Sequence, residues 1–263
     1  KAVRTVEFKD SALKDWAWDG KGDDGKIVPD GVYSFVIGAT DRAGNSITKR
    51  IDNILVSTLQ PSVSLAIDIS AFSPNGDKVK DVVNLAPSVP TKTGIVGWKL
   101  SVQDKAKRDV WSVSGKDSAS LKDQFAFEGR DDSLKTLSEG NYQASLAVTY
   151  LNGHVAKASS PSFLLDLTAP NGTVSADRAA FNPAGAEGQD SVKFSQKGTK
   201  DAKWTSEITG ADGAAVKSFS SSPRPDAEIS WDGTNESGKL VPDGVYSYRL
   251  RAVDGAGNSF ASA

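Results

Sequence analysis

Apolar and polar residues alternate with a period of two in several short runs of this 263-residue chain. The clearest runs are YSFVIGATD (33–41), VWSVS (110–114), FAFEG (125–129), ASLAVTY (144–150) and YSYRLRAVD (246–254). This period is typical of β-strands that bury one face. Turn-forming Asp-Gly, Asn-Gly and Pro-Asp-Gly sequences separate the runs, and no window of a dozen residues carries a helical stripe. The pattern therefore predicts an antiparallel, all-β protein.

Two segments of the chain, residues 18–45 and 231–258, repeat each other without a gap. Both carry Trp-Asp-Gly, Val-Pro-Asp-Gly-Val-Tyr-Ser and Ala-Gly-Asn at identical offsets. A weaker copy occupies residues 127–154, where Phe127 replaces the tryptophan. Upstream of these segments, residues 67–83 align with residues 174–192. The resulting period of about 104–109 residues is the size of one immunoglobulin-type sandwich.

The repeat divides the chain into three units, which we call unit one (1–57), unit two (58–168) and unit three (169–263). We expect tandem immunoglobulin-like or fibronectin-III-like β-sandwiches, with unit one the C-terminal part of an incomplete module. Unit two is expected to be complete and unit three slightly shortened at its end. An incomplete sandwich exposes a strand edge and an apolar face. We therefore expect unit one to pack against unit two or to borrow a strand from another chain.

Composition narrows the function classes. The formal charge of −2 and the pI of about 5.6 argue against a dedicated nucleic-acid binder. No apolar run is long enough to cross a membrane in this segment. Cysteine is absent, which removes disulfides and thiolate chemistry. The single histidine, His154, follows a turn, and no nucleophile motif accompanies it, so we predict no catalytic residue.

The repeated motif resembles the Ig-like module of the flagellar hook-capping protein, a bacterial family whose relatives recur in tandem in large secreted or surface proteins. The phrase AFSPNGDKVKD (71–81) is similar to the opening of such surface repeats. The resemblance is strong over 18–45 and 231–258, moderate over 67–104 and 174–213, and weak over 127–154. It implies a structural module at the cell surface, outside the cell or in the periplasm, and it implies no catalysis.

Most repeated aromatic residues have a structural interpretation. Those at the Trp-Asp-Gly opening and in the third strand of a sandwich are expected in the core, whereas the tyrosine after Pro-Asp-Gly fits a tyrosine corner. These residues are Trp18, Trp231, Trp98, Trp204, Tyr33, Tyr142 and Tyr246. Trp111 differs because its counterpart in unit three is Lys217. It is therefore a candidate contact for a partner protein, with partial burial inside its own unit as the alternative.

Calcium is the one candidate ligand of the chain. The acidic loop Asp19, Asp23, Asp24 and Asp30 has the spacing of the first and last EF-hand ligands, but Lys21 and Asp24 break that motif. A second candidate loop contains Asn75, Asp77 and Asp81, hard oxygen ligands suited to Ca²⁺. Ordinary Asx turns are the competing interpretation of both loops. No other cofactor is expected.

The sequence therefore predicts a non-catalytic structural or adhesive segment of a large bacterial surface or periplasmic protein. Such a segment spaces or presents other parts through protein–protein contacts. Its expected partners are other modules of the same polypeptide and a protein at the cell surface. Two alternatives remain open: carbohydrate-binding or linker modules of a secreted enzyme, and a scaffold component of a flagellar or secretion assembly.

Overall fold

The computed structural model describes residues 1–9, 15–200 and 202–262, and this part of the chain folds into strands without a helix. None of the described residues forms a helix that could cross a membrane. The strands are β1 (Gly31–Thr40), β2 (Ser46–Val56), β3 (Ser64–Ile67), β4 (Ala71–Phe72), β5 (Val83–Ser88), β6 (Ile95–Gln103), β7 (Asp109–Gly115), β8 (Phe125–Phe127), β9 (Gly140–Tyr150), β10 (Val155–Leu165), β11 (Gly172–Ala176), β12 (Val192–Gly198), β13 (Ala202–Thr209), β14 (Ala215–Ser221), β15 (Glu228–Trp231), β16 (Ser247–Asp254) and β17 (Ser259–Ala261).

Unit two is a sandwich of two sheets. One sheet has the order β3-β5-β8, and the other has the order β4-β10-β9-β6-β7. All pairings are antiparallel except that β4 runs parallel to β10. Alternate residues of both sheets point inward, and Phe72, Phe127 and Phe163 meet with ring centroids 6.0 Å apart. These rings belong to one core with buried aliphatic residues of both sheets, such as Leu85 and Leu146, and burial of that core stabilises the unit.

Unit three repeats this plan with the sheets β11-β12-β15 and β14-β13-β16-β17. The ring of Phe194 stacks on that of Tyr248 across the two sheets at 3.8 Å. Trp231 and Ile208 complete this part of the core, and Trp204 packs with Leu250 in a second cluster. The predicted all-β fold of tandem antiparallel sandwiches is therefore confirmed.

Unit one differs from units two and three in its strand pairing and in its exposed apolar residues. Strands β1 and β2 pair with each other and with no other strand of the described chain. The N-terminal residues contact the loop that precedes β1. There, the backbone N–H of Asp23 donates to the carbonyl of Val3 at 3.0 Å. Large apolar side chains of the hairpin are exposed, namely Val32, Val36, Ile47, Ile51 and Leu55. The expectation that these strands pack against unit two is therefore wrong, and the borrowing of a strand from another chain stays a prediction.

Candidate functional site

The three corner tyrosines serve the internal structure of their units. The hydroxyls of Tyr33, Tyr142 and Tyr246 each donate to a carbonyl oxygen four residues earlier, at 2.7 Å in every case. The ring of Tyr33 lies 5.3 Å from that of Trp18, edge to face, and Tyr246 meets Trp231 in the same way at 5.1 Å. Pro-Asp-Gly in units one and three, and Ser-Glu-Gly in unit two, turn the chain so that each tyrosine lies at or beside the start of its strand and can reach back.

The strand tryptophans lie in the cores. Trp98 is 5% exposed and Trp204 is 1% exposed. The indole N–H of Trp98 donates to the carbonyl of Asp117 and the hydroxyl of Ser120, both at 3.0 Å. The indole N–H of Trp204 is buried and has no hydrogen-bond partner among the described residues.

Trp111 and Trp16 lie nearer to solvent. Trp111 is half-buried, and its ring lies 5.5 Å from that of Phe127 within unit two. Trp16 is 39% exposed and stacks on Phe35 at 5.9 Å. The counterpart of Trp16 in unit two, Phe125, packs against the core. Trp16 thus has the offset of a core residue, and its ring already stacks on Phe35 of its own unit.

The acidic residues of the first candidate calcium loop point to separate backbone N–H groups. Asp30 accepts from the backbone N–H of Thr58, 28 residues later in the chain, at 2.9 Å. The other three carboxylates accept from backbone N–H groups: Asp19 from Lys21, Asp23 from Thr5 and Asp24 from Lys26. The four carboxylates therefore accept from the N–H groups of four different residues.

The second candidate loop is a series of Asx turns. Asn75 accepts from the N–H of Asp77 at 3.0 Å, and Asp77 accepts from Val79 at 2.7 Å. Asp81 accepts from the N–H groups of Gly76 and Lys78 at 2.7 and 2.8 Å. Across residues 1–9, 15–200 and 202–262, no three acidic or histidine side chains gather in a metal-binding group. Calcium binding and an ordinary turn role therefore stay the two competing interpretations of both loops.

The carboxylates after the corner proline or serine hold the linkers between units. Asp30 and Glu139 have the same offset in the repeat. Asp30 fixes the N–H of Thr58, and Glu139 accepts from the N–H of Leu167 and the hydroxyl of Thr168, both at 2.7 Å. The Thr168 hydroxyl and the Leu167 N–H hold the pKa of Glu139 below its ordinary value. Sequence reasoning missed this role, although the shared offset of the two acids is a usable signal.

The hairpin turn of the following unit contacts the same linkers from the other side. The Asn152 amide donates to the carbonyl of Leu59 at 2.7 Å, and His154 Nε2 lies 3.1 Å from the carbonyl of Pro61. Asn258 has the offset of His154, and its amide donates to the carbonyl of Asp166 at 3.0 Å. Each linker is therefore held by the unit before it and by the unit after it.

A loop of unit two adds contacts at the second junction. Lys80 Nζ donates to the carbonyl of Gly255 at 2.6 Å, and the Asn75 amide reaches Asn258 Oδ1 at 3.4 Å. Val79 lies so close to Gly257 that a Cβ added there would be 2.9 Å from its Cγ1 atom. These contacts join the middle of unit two's opening loop to the last turn of unit three.

The junction also contains a perturbed carboxyl group. Burial raises the pKa of Asp166, and the negative charges of Asp254 and Glu139 raise it further. The N–H of Thr168 donates to Asp166 at 3.0 Å and opposes that rise. The linker therefore places one acid between two others at the point where units two and three meet.

Comparison with known proteins identifies one segment of the chain. Residues 180–256 match the sequence model of the FlgD Ig-like domain. This match confirms the predicted resemblance to the hook-capping Ig-like module for most of unit three. No curated protein matches the chain.

Three solved structures are among those similar to this chain. A tetra-tandem repeat from the extending region of a large adhesion protein is 20% identical, with a TM-score of 0.34 over 92% of this chain. This chain spans 57% of the length of that repeat. The fibronectin(III)-like modules of Clostridium thermocellum CbhA are 13% identical, with a TM-score of 0.40 over 75% of this chain and 90% of theirs. A chain solved for a 1.5-MDa bacterial ice-binding adhesin is 13% identical, with a TM-score of 0.34 over 87% of this chain and 70% of that solved chain.

Proposed function

We propose that this chain is a non-catalytic structural segment of a bacterial surface or periplasmic protein, in which Ig-like modules space or present other parts. The observation that carries the proposal is the use of the repeated residues. Tyr33, Tyr142 and Tyr246 close the corners of their own units. Asp30 and Glu139 accept hydrogen bonds from the linkers. The repeated residues therefore stabilise the modules and the connections between them.

The division into modules at 1–57, 58–168 and 169–263 is part of this proposal. Hydrogen bonds to the linkers at residues 57–61 and 166–168 support it, because such bonds hold separate sandwiches in succession. The partners proposed for the segment are other modules of the same polypeptide. A further protein at the cell surface is proposed as a partner of the exposed edge of Trp111.

The shape of the surface supports a non-enzymatic role. Two depressions in the described part of the chain are open to solvent, one lined by residues 39–41 and 45–47 and one by residues 171–173 and 197–199. Enzyme sites are concave and bury most of their ligand. His154, the single imidazole of the chain, faces the carbonyl of Pro61 rather than an acid or a nucleophile.

Two measurements on the source cells test this proposal: the location of the parent polypeptide and its full length. Antibodies raised against the chain should label intact cells, or cells whose outer layer alone is opened. The intact mass and peptide map should reveal a polypeptide more than about twice this length, built from further such modules. Labelling that requires lysis of the cytoplasm would overturn the proposal. A mass map with one catalytic domain beside these modules would favour accessory modules of a secreted enzyme.

Scaffolding in a flagellar or secretion assembly is the remaining alternative. The match of residues 180–256 to the FlgD Ig-like domain favours it. Light scattering distinguishes the two functions. Discrete oligomers of the purified chain would support the scaffold, whereas a monomer at all accessible concentrations would support the spacing segment.

A further inference from the structure

The same turn sequence lies in two different environments in this chain. Residues 41–45 and 254–258 both form an Asp-x-Ala-Gly-Asn turn, and the aspartate accepts the same backbone bonds in each. All five residues of the unit-one turn are exposed. In unit three, Ala256 is 1% exposed and Asn258 is 3% exposed. Since the local geometry is shared, the difference arises from the neighbours of the turn.

Unit two supplies those neighbours. The carbonyl of Gly255 accepts from Lys80, Gly257 lies against Val79, and Asn258 meets Asn75 and the linker carbonyl of Asp166. We call residues 254–258 the docking turn and residues 73–81 the unit-two loop. The docking turn thus receives contacts from two separate segments of unit two, its loop and its exit linker.

The unit-two loop is held in shape before it meets the docking turn. Its own carboxylates fix the N–H groups of Gly76, Lys78 and Val79, and the N–H of Ser73 donates to the carbonyl of Lys80 at 3.0 Å. A preorganised loop loses little conformational entropy on contact. The residues proposed as calcium ligands from the sequence are therefore the residues that shape this loop.

The chemistry of the loop is specific to unit two. At the offsets of Val79 and Lys80, unit three has Gly188 and Gln189. The loop of unit three therefore lacks both the apolar side chain and the ammonium group that reach a docking turn. Contact of this kind requires a module that presents Asn-Gly-Asp-x-Val-Lys to an Asp-x-Ala-Gly-Asn turn.

We propose that the docking turn and the unit-two loop form a rigid joint that fixes the orientation of unit three relative to unit two. Domains joined by a linker alone move relative to each other unless an interface restrains them. Here the linker is held by Glu139 and Asn258, and the loop adds a third attachment away from the linker. This inference deepens the proposed spacing function, because a fixed joint makes the spacer stiff.

The absence of cysteine allows a direct measurement on the whole chain. Nitroxide labels at Lys157→Cys in unit two and Arg249→Cys in unit three lie on exposed strand positions. Double electron–electron resonance should give one narrow distance distribution. The change Val79→Ala with Lys80→Met should broaden that distribution about twofold or more, because the linker then acts alone.

Lys78→Met is the matched control. Lys78 and Lys80 belong to the same loop and both have positive φ angles, of 70° and 53°, but Lys80 is the one that bonds to unit three. The control should keep the narrow distribution. A broad distribution in the parent chain, or equal widths in all three chains, would overturn the joint. Either result would leave the spacing function standing, because a flexible chain also spaces, and localisation tests that function separately.

Discussion

Trp98 and Trp204 occupy matching strands, but only the indole N–H of Trp98 has a hydrogen-bond acceptor in the described chain. The Trp98 N–H is bonded to two acceptors, whereas the Trp204 N–H is buried without a partner in the described chain. A buried polar group without a partner costs about 1–3 kcal/mol. The same residue type at the same offset therefore stabilises the two units to different extents.

We expect Trp98→Phe to lower the free energy of unfolding more than Trp204→Phe does, by about 1–2 kcal/mol. Both changes remove part of a buried ring, but the change at Trp204 also removes an unpaired N–H group. Urea unfolding followed by circular dichroism measures the two losses. Equal losses would contradict the assignment of the two indole groups.

A second prediction concerns calcium binding by the carboxylates of the unit-two loop. We expect titration of the chain with millimolar Ca²⁺ to release no heat, because Asp77 and Asp81 already accept backbone N–H bonds. Calcium needs six to eight oxygen ligands, and binding would require these turns to open. Heat in the parent chain that disappears in Asp81→Asn would instead establish the calcium site.

Among the elements, the β1–β2 hairpin has the least support. It pairs with no third strand in the described chain, and Val32 and Ile51 are 67% and 61% exposed. An isolated two-stranded hairpin is marginally stable in water. By contrast, β9 lies between β6 and β10 in the middle of a sheet.

We expect the backbone amides of β1 and β2 to exchange with deuterium about tenfold or more faster than those of β9, since opening of the hairpin breaks one pairing and little apolar packing. Exchange followed by mass spectrometry of peptides resolves the two regions. The edge strand β17 of unit three serves as a control for an edge inside a complete sandwich. Protection of the hairpin equal to that of β9, together with a dimer in light scattering, would indicate a strand borrowed from another chain.

The elements were the part most accessible to sequence reasoning. Period-two alternation predicts β9 and β16, because one face of each lies in a core. The contacts of Asp30 and Trp111 were less accessible. The offset that Asp30 shares with Glu139 indicates a common role, but it does not identify the partner Thr58, 28 residues away. The counterpart of Trp111 is a lysine, which says nothing of the distance between its ring and Phe127 on the facing sheet.

At the scale of the whole molecule, the junction between units two and three carries a charge that depends on pH. Burial, Asp254 and Glu139 raise the pKa of Asp166 in the folded chain. Its stabilising contribution is therefore present below the pKa of an unfolded aspartate, about 4, and is lost as the pH rises through the folded value. At neutral pH the ionised Asp166 opposes folding of the junction.

We expect Asp166→Asn to raise the melting temperature at pH 7 and to change it little at pH 3, where the aspartic acid is already neutral. The asparagine keeps the acceptor for the N–H of Thr168. Asp104→Asn is a control of opposite sign, because the N–H and the guanidinium of Arg108 lower the pKa of Asp104. It should lower the melting temperature at pH 7 and lose that effect toward pH 3. Equal pH profiles for the two variants would contradict this assignment.

The contact between the unit-two loop and the docking turn has no two-fold symmetry. In unit two, the loop that contains Lys80 faces the next unit, whereas His154 faces the preceding linker. Unit two supplies the donor loop and unit three supplies the acceptor turn, so their contact is heterologous and head-to-tail. Such contacts give an array a polarity, as in a filament with distinguishable ends. Repetition of this contact needs modules that carry both the loop and the turn, and it would lengthen the array in one direction without closing a symmetric dimer.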